Sequence, residues 1–318
     1  MIRIICFIFC IFSINALEVD ILSDFGIEGL PAKLANVKKE FQINETSSLD
    51  YFKQNSPNRP DLAKIIVFNI NFDQKIISTF PKEKLVLFVW EPVTLERAFY
   101  DAYSRVYTWD DNLVDNIKFF RFNNPYLTPV RSNSVRFQDK KLCAMVVGNW
   151  TKPRRKILQF FRKTHPDALV CYGKPPRSEK SLPLYKGRIP GSHSGDEEIA
   201  TLSKYRFRIC FENTTNVAGY ISEKIFNSFA AGCVPIYWGA TNIEKYIPKT
   251  CFVDYRDFKN NEELYKFLST MSQEKHEQYI QEIKKFLASD AAKVFSPESF
   301  DNLVYEAIKW RCCINSCG

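Results

Sequence analysis

Phe211-Glu212-Asn213 closes an apolar run, and a short polar stretch separates it from Gly219-Tyr220-Ile221-Ser222-Glu223-Lys224. Ser222 suits the N-cap of a helix whose apolar stripe is Ile225, Phe226, Phe229 and Ala230. The first N–H groups of such a helix have no intrahelical partner, and with Lys224 in the first turn they form a natural phosphate site. The competing reading is a plain capped helix, with Glu223 satisfying the dipole and Lys224 in water. The continuation 230–239, Ala-Ala-Gly-Cys-Val-Pro-Ile-Tyr-Trp-Gly, favours the phosphate site. A small-residue helix end, a glycine cap, a short buried strand and a terminal Gly239 let a ligand approach the backbone closely. Neither G-x-G-x-x-G nor G-x-x-x-x-G-K occurs, so dinucleotide oxidoreductases and P-loop kinases lose support.

Other chemistries find little material. His165, His193 and His276 lack ligand-like spacing, and no block supports a serine or cysteine nucleophile. Asp110 and Asp111 are a poor metal pair, because adjacent side chains of an extended segment point apart. No metal is expected.

The elements that must position Glu212 and Lys224 follow from periodicity. Segments 142–148, 168–172, 207–211, 234–238 and 251–254 read as buried strands, and 154–165, 196–205 and 222–231 as intervening helices. Such alternation predicts a parallel, doubly wound sheet, which binds ligands outside the carboxyl ends of its strands. Earlier, 17–22, 64–70, 84–90, 103–109 and 117–122 read as strands and 31–41 as helical, so the first half is an α/β layer with irregular connections. The tail 260–310 is helical, and its last helix, around 299–310, is placed to cross back onto the first domain. The expected fold is α/β, with two Rossmann-like domains facing across a cleft: 17–138, then 139–295, with 296–318 as a C-terminal helix and cysteine-rich tail.

The composition sets the class. The chain has 318 residues, 45% hydrophobic and 15% aromatic, enough for two medium cores. Its formal charge of +8 comes from cations spread along the chain and interleaved with acids, with no nucleic-acid-binding module, so nucleic acid is not an expected partner. Residues 1–16 carry one arginine and an apolar run over 4–14, too short for the roughly 20 residues of a membrane-spanning helix. They read as a signal peptide ending at Ala16, or a short anchor giving membrane contact through the N-terminus. Cys143, Cys171, Cys210 and Cys233 lie in apolar runs as small hydrophobes, whereas Cys312, Cys313 and Cys317 cluster near the end, where two could pair or one could join Cys251. Of three N-x-Ser/Thr sequons, Asn44, Asn149 and Asn213, the last falls inside the proposed pocket, where a glycan would contradict it.

The blocks 205–213, 220–225 and 234–239 together resemble the signature of the α-1,3/α-1,4-fucosyltransferases, glycosyltransferase family 10. The resemblance is specific over 205–258 and weaker over most of the chain. It implies a GT-B fold, GDP-fucose as donor held by the C-terminal domain, and an oligosaccharide or glycoconjugate acceptor. Carried over by position, it implies that Lys224 binds the pyrophosphate, that Glu223 binds donor hydroxyls or steadies positive charge on the fucose, and that Glu212, Asn213 and Tyr220 line the pocket. The run 149–156 fits the family's arginine helix, with Arg155 preferred over Arg154 and Lys156 as the pyrophosphate ligand. Trp90-Glu91-Pro92 resembles the family's N-domain block, Glu-Ser-Pro in animal members, although the serine is absent. A carboxylate at that strand end, beside Trp90, would have a raised pKa and take the acceptor proton, the alternative being a turn carboxylate before Pro92. Tyr103 to Asp111 resembles the strand carrying Tyr-Arg-Xaa-Asp-Ser-Asp. Taken together, the expectation is an inverting fucosyltransferase in a secretory, Golgi-type lumen, with a cytoplasmic-side location open for a bacterial host. Its rivals are a GT-B transferase of another nucleotide sugar and a non-catalytic glycan-binding protein.

Overall fold

The computed structural model describes residues 17–23, 34–46, 51–56, 58–68, 74–93, 95–131, 135–175, 184–190 and 195–310. The expected signal segment 1–16, His193 and the cysteines at 312, 313 and 317 lie outside the described residues. In chain order the first half contains β1 (Glu18–Leu22), α1 (Val37–Glu40), β2 (Gln42–Thr46), α2 (Tyr51–Gln54), β3 (Leu62–Val67), α3 (Gln74–Ile77), β4 (Leu85–Val89), β5 (Arg105–Thr108) and β6 (Phe119–Arg121). The second half contains β7 (Lys141–Val147), α4 (Lys152–Thr164), β8 (Leu169–Gly173), α5 (Asp196–Leu202), β9 (Tyr205–Phe211), α6 (Glu223–Ala230), β10 (Val234–Trp238) and β11 (Val253–Asp254). It ends in α7 (Asn261–Thr270), α8 (Gln273–Leu287) and α9 (Pro297–Lys309).

These strands form two sheets, β2-β1-β3-β4-β5-β6 and β11-β10-β9-β7-β8, in which every described pairing is parallel. Parallel strands covered on both faces read as continuous apolar runs, and the central β4, Leu-Val-Leu-Phe-Val, is buried throughout. The polar sequence of β2, Gln-Ile-Asn-Glu-Thr, belongs to an edge strand. Its hydropathy gave no sign of a strand, and the helix expected over 31–41 is described only as the single turn of α1.

One apolar cluster on each face fixes the first sheet. On one side Leu22, Ile65, Val67, Leu87 and Val106 pack together. On the other, Val19, Ile21, Ile66 and Phe88 pack against Phe300, Val304, Ala307 and Ile308 of α9. The last helix therefore completes the first domain's core. The second sheet packs Met145, Ile209 and Ile236 against Ile157, Leu158 and Phe161 of α4, and its other face against α6 and α8. No helix among the described residues is long and apolar enough to cross a membrane.

Candidate active site

The segments that leave the carboxyl ends of β4, β5, β9 and β10 converge, so the sheets present those ends to each other. From the second sheet comes Glu212, the residue after β9, fully buried. Its carboxylate accepts the Ser222 backbone N–H at 2.9 Å, and the Ser222 hydroxyl lies 2.9 and 2.7 Å from its two oxygens, placed to donate. The same serine is the N-cap of α6, its Oγ accepting from Lys224 N at 3.4 Å. Gly239 explains the close fit: a Cβ there would stand 2.6 Å from Glu212 Cγ and collide with the Tyr237 hydroxyl. The terminal glycine of the 230–239 block thus serves the approach of Glu212.

Lys224 turns back over this cap. Its Nζ lies 3.0 Å from Ser222 Oγ, 3.3 Å from Glu212 Oε2 and 3.4 Å from Glu223 Oε1. Burial works against the ammonium, but Glu223 and Glu212 outweigh it and hold its pKa above the usual lysine range. For Glu223 burial acts upward, yet Lys224, its own backbone N–H and Arg208 win and keep its pKa low. The lysine is therefore a firm cation, held between two carboxylates.

Beneath α6 lies a buried ion pair. Arg208 Nη2 donates to Glu198 Oε1 at 2.8 Å, Asn227 Nδ2 donates to the same oxygen at 3.0 Å, and Arg208 Nη1 donates to the Lys224 carbonyl at 2.8 Å. This pair ties α5 to the first turn of α6.

The two arginines of α4 separate by burial. Arg154 is buried and donates to the carbonyls of Asn149 and Phe211 and, at 3.0 Å, to Asn213 Oδ1. It clamps the end of β9. Arg155 is exposed on the same turn, its guanidinium 5.8 Å from the Trp150 ring centroid. Arg154 lies within electrostatic reach of Glu212 and Glu223, whereas Arg155 stands on the exposed side of α4.

From the first sheet, Glu91 follows β4 by two residues. It is half-buried and lies within electrostatic reach of Glu223, Lys224 and Glu212. Burial raises its pKa, Glu223 raises it further, and Lys224 only partly opposes them. The preceding Trp90 packs on Phe68, Phe122 and Phe300 and donates its indole N–H to Tyr126 Oη at 3.2 Å. Tyr220, expected to line the pocket, is buried edge-on against Trp109, ring centroids 5.2 Å apart, and joins the first domain's core cluster. Burial and the carboxylates of Glu212, Glu223 and Glu91 push its phenol well above the usual range.

The structure thus gathers Glu91, Glu212, Tyr220, Glu223 and Lys224, with Asn213 and Arg154 at the end of β9 and Arg155 on the outside of the same turn. Sequence reasoning missed Tyr126, whose phenol is raised by burial and then by Glu223, with Glu91 and Glu212 contributing. It also missed Asp111 as an interdomain contact, because its partners Asn242 and Tyr246 lie more than a hundred positions away. Among the described residues, no group of three His, Cys, Asp or Glu side chains could hold a metal ion.

Two parallel α/β sheets with carboxyl ends opposed are the GT-B glycosyltransferase architecture, and solved structures share it. A crystal structure of an α1,3-fucosyltransferase superposes with a TM-score of 0.61 over 94% of this chain and 92% of that one, at 15% identity. The DNA-modifying β-glucosyltransferase gives 0.58 over 92% and 100%, at 13% identity. Residues 137–292 match the family described as glycosyltransferase family 10 (fucosyltransferase) C-terminal domain. An α-(1,3)-fucosyltransferase, FucT, of Helicobacter pylori is 26% identical over 55% of this chain and 37% of its own length. The 4-galactosyl-N-acetylglucosaminide 3-α-L-fucosyltransferase 9 of Mus musculus is 31% identical over 46% and 35%. The matched stretch thus spans little more than a third of either relative.

Proposed function

We propose that the chain is an inverting fucosyltransferase that moves L-fucose from GDP-β-L-fucose to a hydroxyl of an oligosaccharide acceptor, forming an α-1,3 or α-1,4 linkage. The observation that carries this reading is the opposition of Glu91, a carboxylate of raised pKa on the first sheet, to Lys224 at the capped start of α6 on the second. The match of 137–292 to the family 10 fucosyltransferase C-terminal domain and the similarity to fucosyltransferases support the choice of donor.

Glu91 takes the proton of the acceptor hydroxyl as its oxygen attacks the anomeric carbon. The bond to the β-phosphate oxygen breaks, and its electron pair leaves with GDP. Attack opposite the leaving group turns a β-linked donor into an α-fucoside. Lys224 and Arg155 neutralise the pyrophosphate, a fixed-charge role that needs little reorganisation during the reaction. Glu223, held ionised by Lys224, steadies positive charge on the fucose or binds its hydroxyls. Glu212 fixes the cap and the lysine, Asn213 and Arg154 hold the strand end, and Tyr220 closes the pocket. In this reading residues 17–138 serve the acceptor, 139–295 hold the donor, and α9 returns to the first domain. Export or membrane contact through residues 1–16, into a Golgi-type lumen in a eukaryotic host, belongs to the same proposal.

The test is titration calorimetry with GDP and UDP, followed by incubation with GDP-fucose and a panel of oligosaccharides. The reading expects GDP binding in preference to UDP and a product whose new linkage is α by NMR. A β-linked product, or transfer only from UDP-sugars, would overturn it.

A further inference from the structure

Beside the candidate site, turns from the two domains lock around one carboxylate. Asp111, in the turn after β5, is only 11% exposed. It accepts Arg121 Nη1 at 3.0 Å, Asn242 Nδ2 at 2.6 Å and the Tyr246 hydroxyl at 2.5 and 2.7 Å from its two oxygens, with Lys245 Nζ at 3.6 Å. Asp111 and Arg121 belong to the first sheet's domain, whereas Asn242, Lys245 and Tyr246 follow β10 in the second. Arg121 Nη2 also donates to the Gly219 carbonyl at 2.9 Å, and Asn242 Oδ1 accepts the Gly219 N–H at 2.8 Å. Gly219 has φ +90°, and a side chain there would run into the Trp109 carbonyl and Arg121, so glycine is required for this approach.

The reacting groups hang from this strut. Trp109, whose carbonyl accepts from Arg121, donates its indole N–H to the Glu91 carbonyl at 2.9 Å and packs edge-on against Tyr220. Two residues after Tyr220, Ser222 caps α6 and presents Glu223 and Lys224. A continuous path of contacts therefore joins the backbone of Glu91 to the start of α6. We infer that the Asp111 strut sets the registration of Glu91 against Lys224, and that Asp111, Arg121 and Tyr246 are positioning residues for transfer. This rests on the reading of Glu91 as the base. A cleft held open by an ångström would leave donor binding to the second domain intact while separating the acceptor's base from the anomeric carbon.

The experiment compares Asp111→Ala, Asp111→Asn and Tyr246→Phe with Glu91→Gln in the full chain, measuring GDP affinity, melting temperature, and kcat and KM for transfer. Asp111→Ala is expected to keep GDP affinity within about threefold while kcat falls about tenfold or more. Asp111→Asn, which still accepts from Arg121, should recover part of the loss. Tyr246→Phe should lower kcat by about threefold, and the Asp111→Ala/Tyr246→Phe double variant should lose less than the product of the singles, because both act through one strut. Should Asp111→Ala fail to fold, Tyr246→Phe, which keeps the ring, carries the test. Folded variants with kcat within twofold of wild type, while Glu91→Gln is inactive, would overturn the strut alone. A Glu91→Gln variant at wild-type rate would overturn the reading of the site instead.

Discussion

At the scale of single residues, charge balance in the cleft makes opposite demands on Glu91 and Glu223. Burial and Glu223 raise the Glu91 pKa, so kcat/KM should fall with decreasing pH along a limb lying above the ordinary glutamate value of about 4.3. Glu91→Gln would remove that limb with the activity. The stability sign follows. A carboxyl whose pKa is higher folded than unfolded binds more protons in the native state, so stability falls as pH rises from the unfolded value through the folded one. Thermal melts should therefore show Glu91→Gln at least as stable as wild type at pH 7, and a lower melting temperature would contradict the raised pKa. Glu223, whose pKa is lowered, contributes stability above its unfolded value that is lost as pH falls through the folded one. Lys224→Ala is a harsher change, since it leaves Glu212 fully buried without its cation. It should cost roughly 3–5 kcal/mol in urea denaturation. Loss of transfer in that variant thus needs a fold measurement beside it. Glu212, Ser222, Glu223 and Lys224 were legible because one strand end and one cap bring them together within a dozen residues. Arg154 and Arg155 could not be separated by type, since only the packing of α4 buries one and exposes the other. Tyr126 left no signal, because its role comes from Trp90 and from the opposite domain.

At the scale of elements, the start of α6 depends on the Arg208–Glu198 pair below it, which is nearly inaccessible to solvent. Arg208→Met should destabilise by roughly 3–5 kcal/mol in urea denaturation, because Glu198 would remain buried with only the Asn227 amide and no counter-charge. Adding Glu198→Leu should recover much of the loss; an unchanged midpoint in Arg208→Met would contradict the pair's importance. The sequence marks β9 clearly as a strand but says nothing about why Arg208 stands in it, since its acceptor arrives from α5. Strands of apolar run were readable; β2 was not, because an edge strand of a parallel sheet can be polar and owes its place to pairing with β1. The alternation from β7 to β11 predicted the second sheet, and the six-stranded parallel order of the first emerges only from tertiary packing.

At the scale of the whole molecule, the chain closes on itself: α9, its last described helix, fills one face of the first sheet. Phe300 touches Phe68, Phe88, Trp90 and Phe122, so Phe300→Ala should cost about 3–5 kcal/mol and loosen the support of Trp90, the neighbour of Glu91. Denaturation monitored by tryptophan fluorescence checks both. The two-domain GT-B form was legible from element order and from the resemblance of 205–258. The meeting of the domains was not, because the contacts of Asp111 join segments that local periodicity cannot connect. The central claim is that a base from one domain and cations from the other act on one sugar nucleotide. Its most direct test is the rate of fucosyl transfer from GDP-fucose by wild type and Glu91→Gln, measured with GDP affinity. The account predicts transfer by wild type and a fall of about a hundredfold or more in the variant, with GDP affinity unchanged. Equal transfer rates in the two proteins would contradict it.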